Sequence, residues 1–181
     1  ARRKVPWLSP IGVMLLLASF ALPARAEWLL REEAIMGTRC AVELWAEDHA
    51  RGEAAIEQVF AELRRIDAAM STYKPASELS QLNAHAAQAP YAVSKELYDI
   101  IAASLDYSRL TDGAFDVTYA SVGYLYDYRR HVHPDDATIA AKLPGVNWRH
   151  VRLYPDRHAI GFERPGMRID LGGIAKGYAV D

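Results

Sequence analysis

The sequence predicts an α+β fold in which helices pack on a mixed or antiparallel sheet. Apolar residues recur at helical spacing over 56–70 and 97–105, and with a period of two over 39–44 and 167–171. The order along the chain is strand, helix, loop, helix, strands, rather than a regular β–α alternation. With 51% apolar and 24% charged residues, the 181-residue chain has the composition of a folded domain, not of a disordered segment.

The first residues read as a separate element. Arg2, Arg3 and Lys4 precede an apolar run over 11–22, and Ala24 and Ala26 stand three and one positions before Glu27. That is the pattern of a secretory signal peptide over 1–26, with export across the inner membrane to the periplasm. The apolar run is shorter than the roughly 20 residues that span a bilayer, which favours cleavage over a retained inner-membrane anchor. No cysteine stands at the cleavage point, so a lipid anchor is not expected, and the residues around Arg2-Arg3 favour the general secretory route. Without 1–26 the chain keeps 17 basic and 23 acidic side chains, a net charge of −6. Such a balance argues against a nucleic-acid partner. Cys40 is the single cysteine, cannot form an internal disulfide, and is expected in the core.

Over 28–46, Cys40, Val42 and Leu44 alternate with Arg39, Ala41 and Glu43, a half-buried strand whose start is broken or bent at Met36-Gly37-Thr38. Ile56, Val59, Phe60, Leu63, Ile66 and Met70 then form the apolar stripe of a long helix, with Asp48 as its cap. The stretch 71–90 loses periodicity and is rich in Ser, Pro, Asn and Gln, as an ordered loop would be. Ser94 caps a second helix with Leu97, Ile100, Ile101 and Leu105 on one face, ending at Thr111-Asp112-Gly113. A short helix is expected after Pro134, a hairpin over 151–163 around 155–158, and a last strand in which Met167, Ile169 and Leu171 alternate with Arg168 and Asp170.

Several segments could carry chemistry. In the run 169–177 an extended stretch enters Gly172-Gly173 and then a helix start containing Lys176. Glycines let backbone N–H groups approach an anion, Lys176 offers a point charge, and Asp170 can accept hydrogen bonds from a ring edge. The pattern matches neither the P-loop nor the dinucleotide fingerprint, so by spacing alone a plain turn stays open as the alternative. Asp112-Gly113-Ala114-Phe115-Asp116 joins a glycine turn to an aromatic and a carboxylate, where a tight turn over a buried Phe is the competing explanation. Met36 and Tyr73 offer a thioether and an aromatic ring that could sandwich a flat ligand, or could be plain core. His131 and His133 lack a third metal ligand nearby and are expected to be structural or exposed.

Taken together, MGT at 36–38, STYKPASELSQLN at 71–83, TDGAFDVT at 111–118 and IDLGGIAKGYAVD at 169–181 resemble the ApbE family, the FAD:protein FMN transferases. The likeness covers essentially all of 27–181 and implies an ApbE-like domain of which these residues are the N-terminal part, the C-terminal half being absent. It implies that Met36, Tyr73, Ala114, Phe115, Asp116, Asp170 and Lys176 contact FAD, and that Gly173 serves a Mg²⁺ site through its backbone carbonyl. Asn83 is the implied catalytic candidate, tuning transfer against hydrolysis, with other catalytic groups and the side-chain magnesium ligands expected beyond Asp181. The implied reaction attaches FMN from FAD to a Thr or Ser hydroxyl of an acceptor flavoprotein subunit of a membrane or exported redox complex, releasing AMP. The alternatives are a Mg²⁺-dependent FAD pyrophosphatase and a non-catalytic periplasmic flavin-binding module. One departure stands out: Tyr119 and the tyrosine-rich residues after it replace the family's usual Gly, Pro, Leu and Trp continuation.

Overall fold

The computed structural model describes residues 26–127 and 130–181, so the expected signal peptide lies almost wholly outside the described residues. The described residues divide into two compact units, one of residues up to Glu32 with Ala41–Val59, the other of Glu33–Cys40 with those from Phe60 to Asp181. Three elements run from one into the other: strands β1 (Glu27–Ile35) and β2 (Thr38–Ala46), and helix α1 (His49–Met70).

The expected strand over 28–46 is a two-stranded hairpin. Met36 and Gly37 form its two-residue turn, at φ of 53° and 71°. Positive φ at both central residues is what a type I′ hairpin turn requires, and glycine is favoured there because no Cβ opposes it. In the first unit the Asp48 side chain accepts from the Arg51 N–H at 2.8 Å, capping α1 as expected. There the helix meets the hairpin at Gly52, where a Cβ would lie 2.5 Å from Leu29 and 2.6 Å from Ala46. The stripe of α1 is Ile56, Phe60, Leu63, Ile66 and Met70; Val59, expected on it, faces solvent at 43% exposure.

In the second unit, α2 (Glu78–His85) corrects the expected loop. Ser77 caps it by accepting from the Ser80 N–H at 3.0 Å, while Leu79 and Leu82 bury one face. Glu78 accepts from the N–H and hydroxyl of Ser94, which in turn caps α3 (Lys95–Leu110) by accepting from the Leu97 N–H. The 3₁₀ turn Val117–Tyr119 leads into the single turn α4 (Ala120–Gly123), and α5 (Asp136–Lys142) is the helix expected after Pro134. Strands β3 (Tyr91–Ala92), β4 (Val151–Tyr154) and β5 (Ala159–Phe162) form an antiparallel sheet in the order β3-β5-β4, with Leu153 opposite Ile160 and Tyr154 opposite Ala159. Central β5 is buried along its length and shares one core with Leu79, Leu82, Leu97, Ile101, Met167, Ile169 and Leu171. The last helix is α6 (Ala175–Val180).

Two further expectations change. Cys40 is half-buried rather than in the core, its thiol 3.7 Å from the Ile35 carbonyl. Residues 167–171 bury Met167, Ile169 and Leu171 on the expected period of two, yet they pair with no strand among the described residues. Their backbone groups bond instead to side chains and to a turn, as set out below.

Candidate functional site

Asp170 gathers three of the sequence motifs. Its N–H donates to the Val117 carbonyl at 3.0 Å. Its Oδ2 accepts from the Thr72 hydroxyl at 2.8 Å, and its Oδ1 accepts from the Gly172 N–H at 2.7 Å and the Tyr119 hydroxyl at 3.2 Å. Three donors occupy three of the roughly four acceptor positions of a carboxylate, leaving one on Oδ2 for a ligand. Gly172 permits this closeness: a Cβ there would sit 2.9 Å from Oδ1, and the carboxylate would have to shift. At Gly173 a Cβ would come within 3.1 Å of the Phe115 ring, so the fourth motif lies directly against the third.

The 111–116 turn is built by its own polar groups. The Thr111 hydroxyl donates to the Tyr107 carbonyl at 2.8 Å and accepts from the Phe115 N–H at 3.0 Å. Asp112 and Gly113 take positive φ, 48° and 83°, turning the chain back after α3. Asp116 accepts from the Thr118 N–H and hydroxyl on one oxygen and from the Trp148 N–H, at 3.0 Å, on the other. Its side chain thereby anchors the turn, and Ala114 is exposed beside it. Phe115, Tyr107, Ile174, Tyr178 and the backbone of Gly173 and Gly177 line an open cleft of about 690 Å³. Next to it the Tyr178 hydroxyl donates to Glu96 at 2.8 Å, and Arg65 bridges Glu96 and Glu62. Hydrogen bonds from Arg65 hold both carboxyls below the usual glutamate range, and the bond to Glu96 pushes the Tyr178 phenol up.

The other expected residues are placed less uniformly. Tyr73 adjoins Thr72 and is 93% exposed, so its ring is free to meet a ligand. Met36 is half-buried in the hairpin turn and packs against the core. Lys176 is exposed in the first turn of α6. His131 and His133 are exposed, and the described residues contain no group of three metal-ligating side chains. Asn83, the catalytic candidate, is buried with both ends of its amide engaged by Ile169: its Nδ2 donates to the carbonyl at 2.9 Å and its Oδ1 accepts from the N–H at 2.8 Å. In this structure it anchors backbone. Ser121 and Trp148 were not expected among the groups that build the site, and Tyr119 was marked only as a departure from the family's usual continuation, not as a partner of Asp170. Nothing in their spacing marks them, because each acts across 30 residues or more of chain.

A sequence model of the ApbE family matches residues 36–181. The FAD:protein FMN transferase of Treponema pallidum (strain Nichols) is 30% identical over 166 residues, covering 87% of this chain and 46% of the relative. The FAD:protein FMN transferase of Vibrio cholerae is 27% identical over 180 residues, 97% of this chain and 53% of the relative. Among solved structures, the flavin transferase ApbE from Vibrio cholerae superposes with a TM-score of 0.76 at 27% identity, over 87% of this chain and 52% of that one. The ApbE protein of Thermotoga maritima gives 0.75 at 27% identity, over 86% and 50%. The chain spans about half the length of the curated relatives it matches.

Proposed function

The chain belongs to the ApbE family, and from that premise we propose that the protein is an exported FAD:protein FMN transferase. The observation that carries the reading is the meeting of motifs distant in sequence around Asp170 and Phe115: Thr72 bonds Asp170 across 98 positions, and Gly173 lies against Phe115. FAD is the substrate, contacted by Met36, Tyr73, Ala114, Phe115, Asp116, Asp170 and Lys176. For Asp116 that contact falls to its backbone, since its carboxylate is committed to Thr118 and Trp148.

Magnesium fits the donors present. Mg²⁺ takes hard oxygens at one or two protein positions and fills the rest with water and substrate phosphate. Gly173 offers an exposed backbone carbonyl with no Cβ beside it, and water and substrate phosphate would supply the remaining oxygens. Bound there, the ion would neutralise pyrophosphate charge. The chain's own part is to orient FAD: Asp170 receives a donor of the flavin nucleotide, Phe115 and Tyr73 present ring faces, and Lys176 offers charge to phosphate. The acceptor hydroxyl oxygen then bonds to the FMN phosphorus, the P–O bond to AMP breaks, and the hydroxyl proton passes to a base. The acceptor is a flavoprotein subunit of a membrane or exported redox complex, and the site of action is the periplasm.

The test is to incubate the intact protein with FAD, Mg²⁺ and a candidate acceptor domain and to weigh the acceptor by mass spectrometry. An added FMN together with free AMP is the expected result. Free FMN and AMP with an unmodified acceptor would make it a pyrophosphatase, and FAD bound without turnover would make it a flavin-binding module. Cell fractionation checks the location.

A further inference from the structure

We propose that Asn83 and Ser121 are positioning residues that set the register of 168–170 and thereby aim Asp170; this rests on reading Asp170 as the flavin contact. The two side chains do for this stretch what a neighbouring strand does for β5. Ser121, 1% exposed, accepts from the Arg168 N–H at 3.0 Å, with its single proton facing the carbonyls of Gly145 at 3.0 Å and Arg168 at 3.2 Å. Asn83 takes the N–H and the carbonyl of the next residue, Ile169. Two side chains thus bond the Arg168 N–H and both backbone groups of Ile169, the Arg168 carbonyl shares the Ser121 proton with Gly145, and the following N–H, of Asp170, closes on Val117.

Register matters here because the period is two. Ile169 and Leu171 point into the core and Asp170 points away, toward Thr72, Tyr119 and the Gly172 N–H. A slip of one residue would turn the carboxylate inward and an apolar side chain toward the ligand. In a paired strand a ladder of many bonds resists such a slip. Here the resistance falls on the Val117 carbonyl and on one amide and one hydroxyl that are far from Asp170 in sequence and do not touch its carboxylate.

The test is a double-mutant cycle in the intact protein, reading FAD affinity by calorimetry with Mg²⁺ present. Ser121→Ala is expected to weaken FAD binding about tenfold, the scale of one or two lost hydrogen bonds. On an Asp170→Asn background the same change should cost less than about twofold, because the group being aimed has lost its charge. Asn83→Ala, run through the same cycle, should behave alike. Equal losses on both backgrounds would mean general destabilisation and would overturn the proposal.

Should the unaltered protein bind no FAD, the functional reading falls and amide hydrogen exchange decides the positioning claim alone. Ser121→Ala should then speed exchange at Asp170 and Gly172 about tenfold while leaving Ile160 and Phe162 unchanged. Uniform acceleration, or none, would overturn it.

Discussion

Two extended stretches lie in one core, β5 (Ala159–Phe162) and residues 167–171, and they satisfy their backbones in different ways. β5 is the middle strand of its sheet, paired on both sides with β3 and β4. The second stretch has a serine, an asparagine and a turn carbonyl where a strand would be. Both bury apolar residues, β5 at every position and 167–171 at alternate ones, so hydrophobic patterning decides what turns inward but not who accepts the N–H groups. The difference suits the second stretch to a site. A stretch without a neighbouring strand leaves the Asp170 carboxylate and the glycines after it free to be shaped by other loops.

The largest expected effects test what the stretches share. Ile160→Ala and Ile169→Ala, both at fully buried positions, should each cost about 3 kcal/mol and agree within about 1 kcal/mol in urea unfolding. A much smaller loss at Ile169 would mean that 167–171 does not belong to the same cooperative core. Next in size is the change that only one stretch should feel. Asn83→Ala leaves the N–H and carbonyl of Ile169 unpaired in a buried place and should cost about 2 kcal/mol. On the hairpin, Arg152→Ala, which removes one exposed partner of Glu163, should stay within about 0.5 kcal/mol.

The smallest effect is a difference in acid sensitivity. Hydrogen bonds from His150 and then Arg152 hold the Glu163 carboxyl below its ordinary 4.5. A depressed carboxyl contributes stability that is present above the ordinary value and is lost as pH falls through the lowered one. Protection of the Glu163 N–H, which donates to His150 at the open end of the hairpin, should therefore drop as pH is lowered from about 6 to about 3. The neutral bonds of Asn83 and Ser121 have no such dependence, so protection at Arg168 and Ile169 should stay level by NMR exchange. A parallel decline at both places would contradict the contrast.

Much of the fold was readable from pattern. The stripes of α1 and α3 follow a 3.6-residue period, Asp48 and Ser94 cap them, and the β4–β5 hairpin lies around the expected turn at 155–158. Helix α2 was missed because it is short and polar in composition, although Leu79, Leu82 and Ala86 at spacings of three and four, behind Ser77, were the available signal. Val59 shows the limit of a stripe read without a partner: it is apolar, yet at its angle on the helix it stays exposed. For the site, Asp170, Phe115 and the glycine pair come together from two of the four motifs and Thr72 joins them from a third, while Asn83 anchors Ile169. Thr72 lies inside a quoted motif, yet its bond to Asp170 had no local signature.

By itself the sequence determined which residues are apolar and at what period, where helices begin, where a chain with positive φ must turn, and which family the motifs resemble. These are local properties, set by the side chain and its few neighbours along the chain. The tertiary structure alone decided which donors reach Asp170, that Asn83 and Ser121 replace a strand, and that Asp116 is held by Trp148. A hydrogen bond forms within about 3 Å and along a narrow direction, and such closeness between residues 30 to 100 positions apart arises only when the whole core has packed.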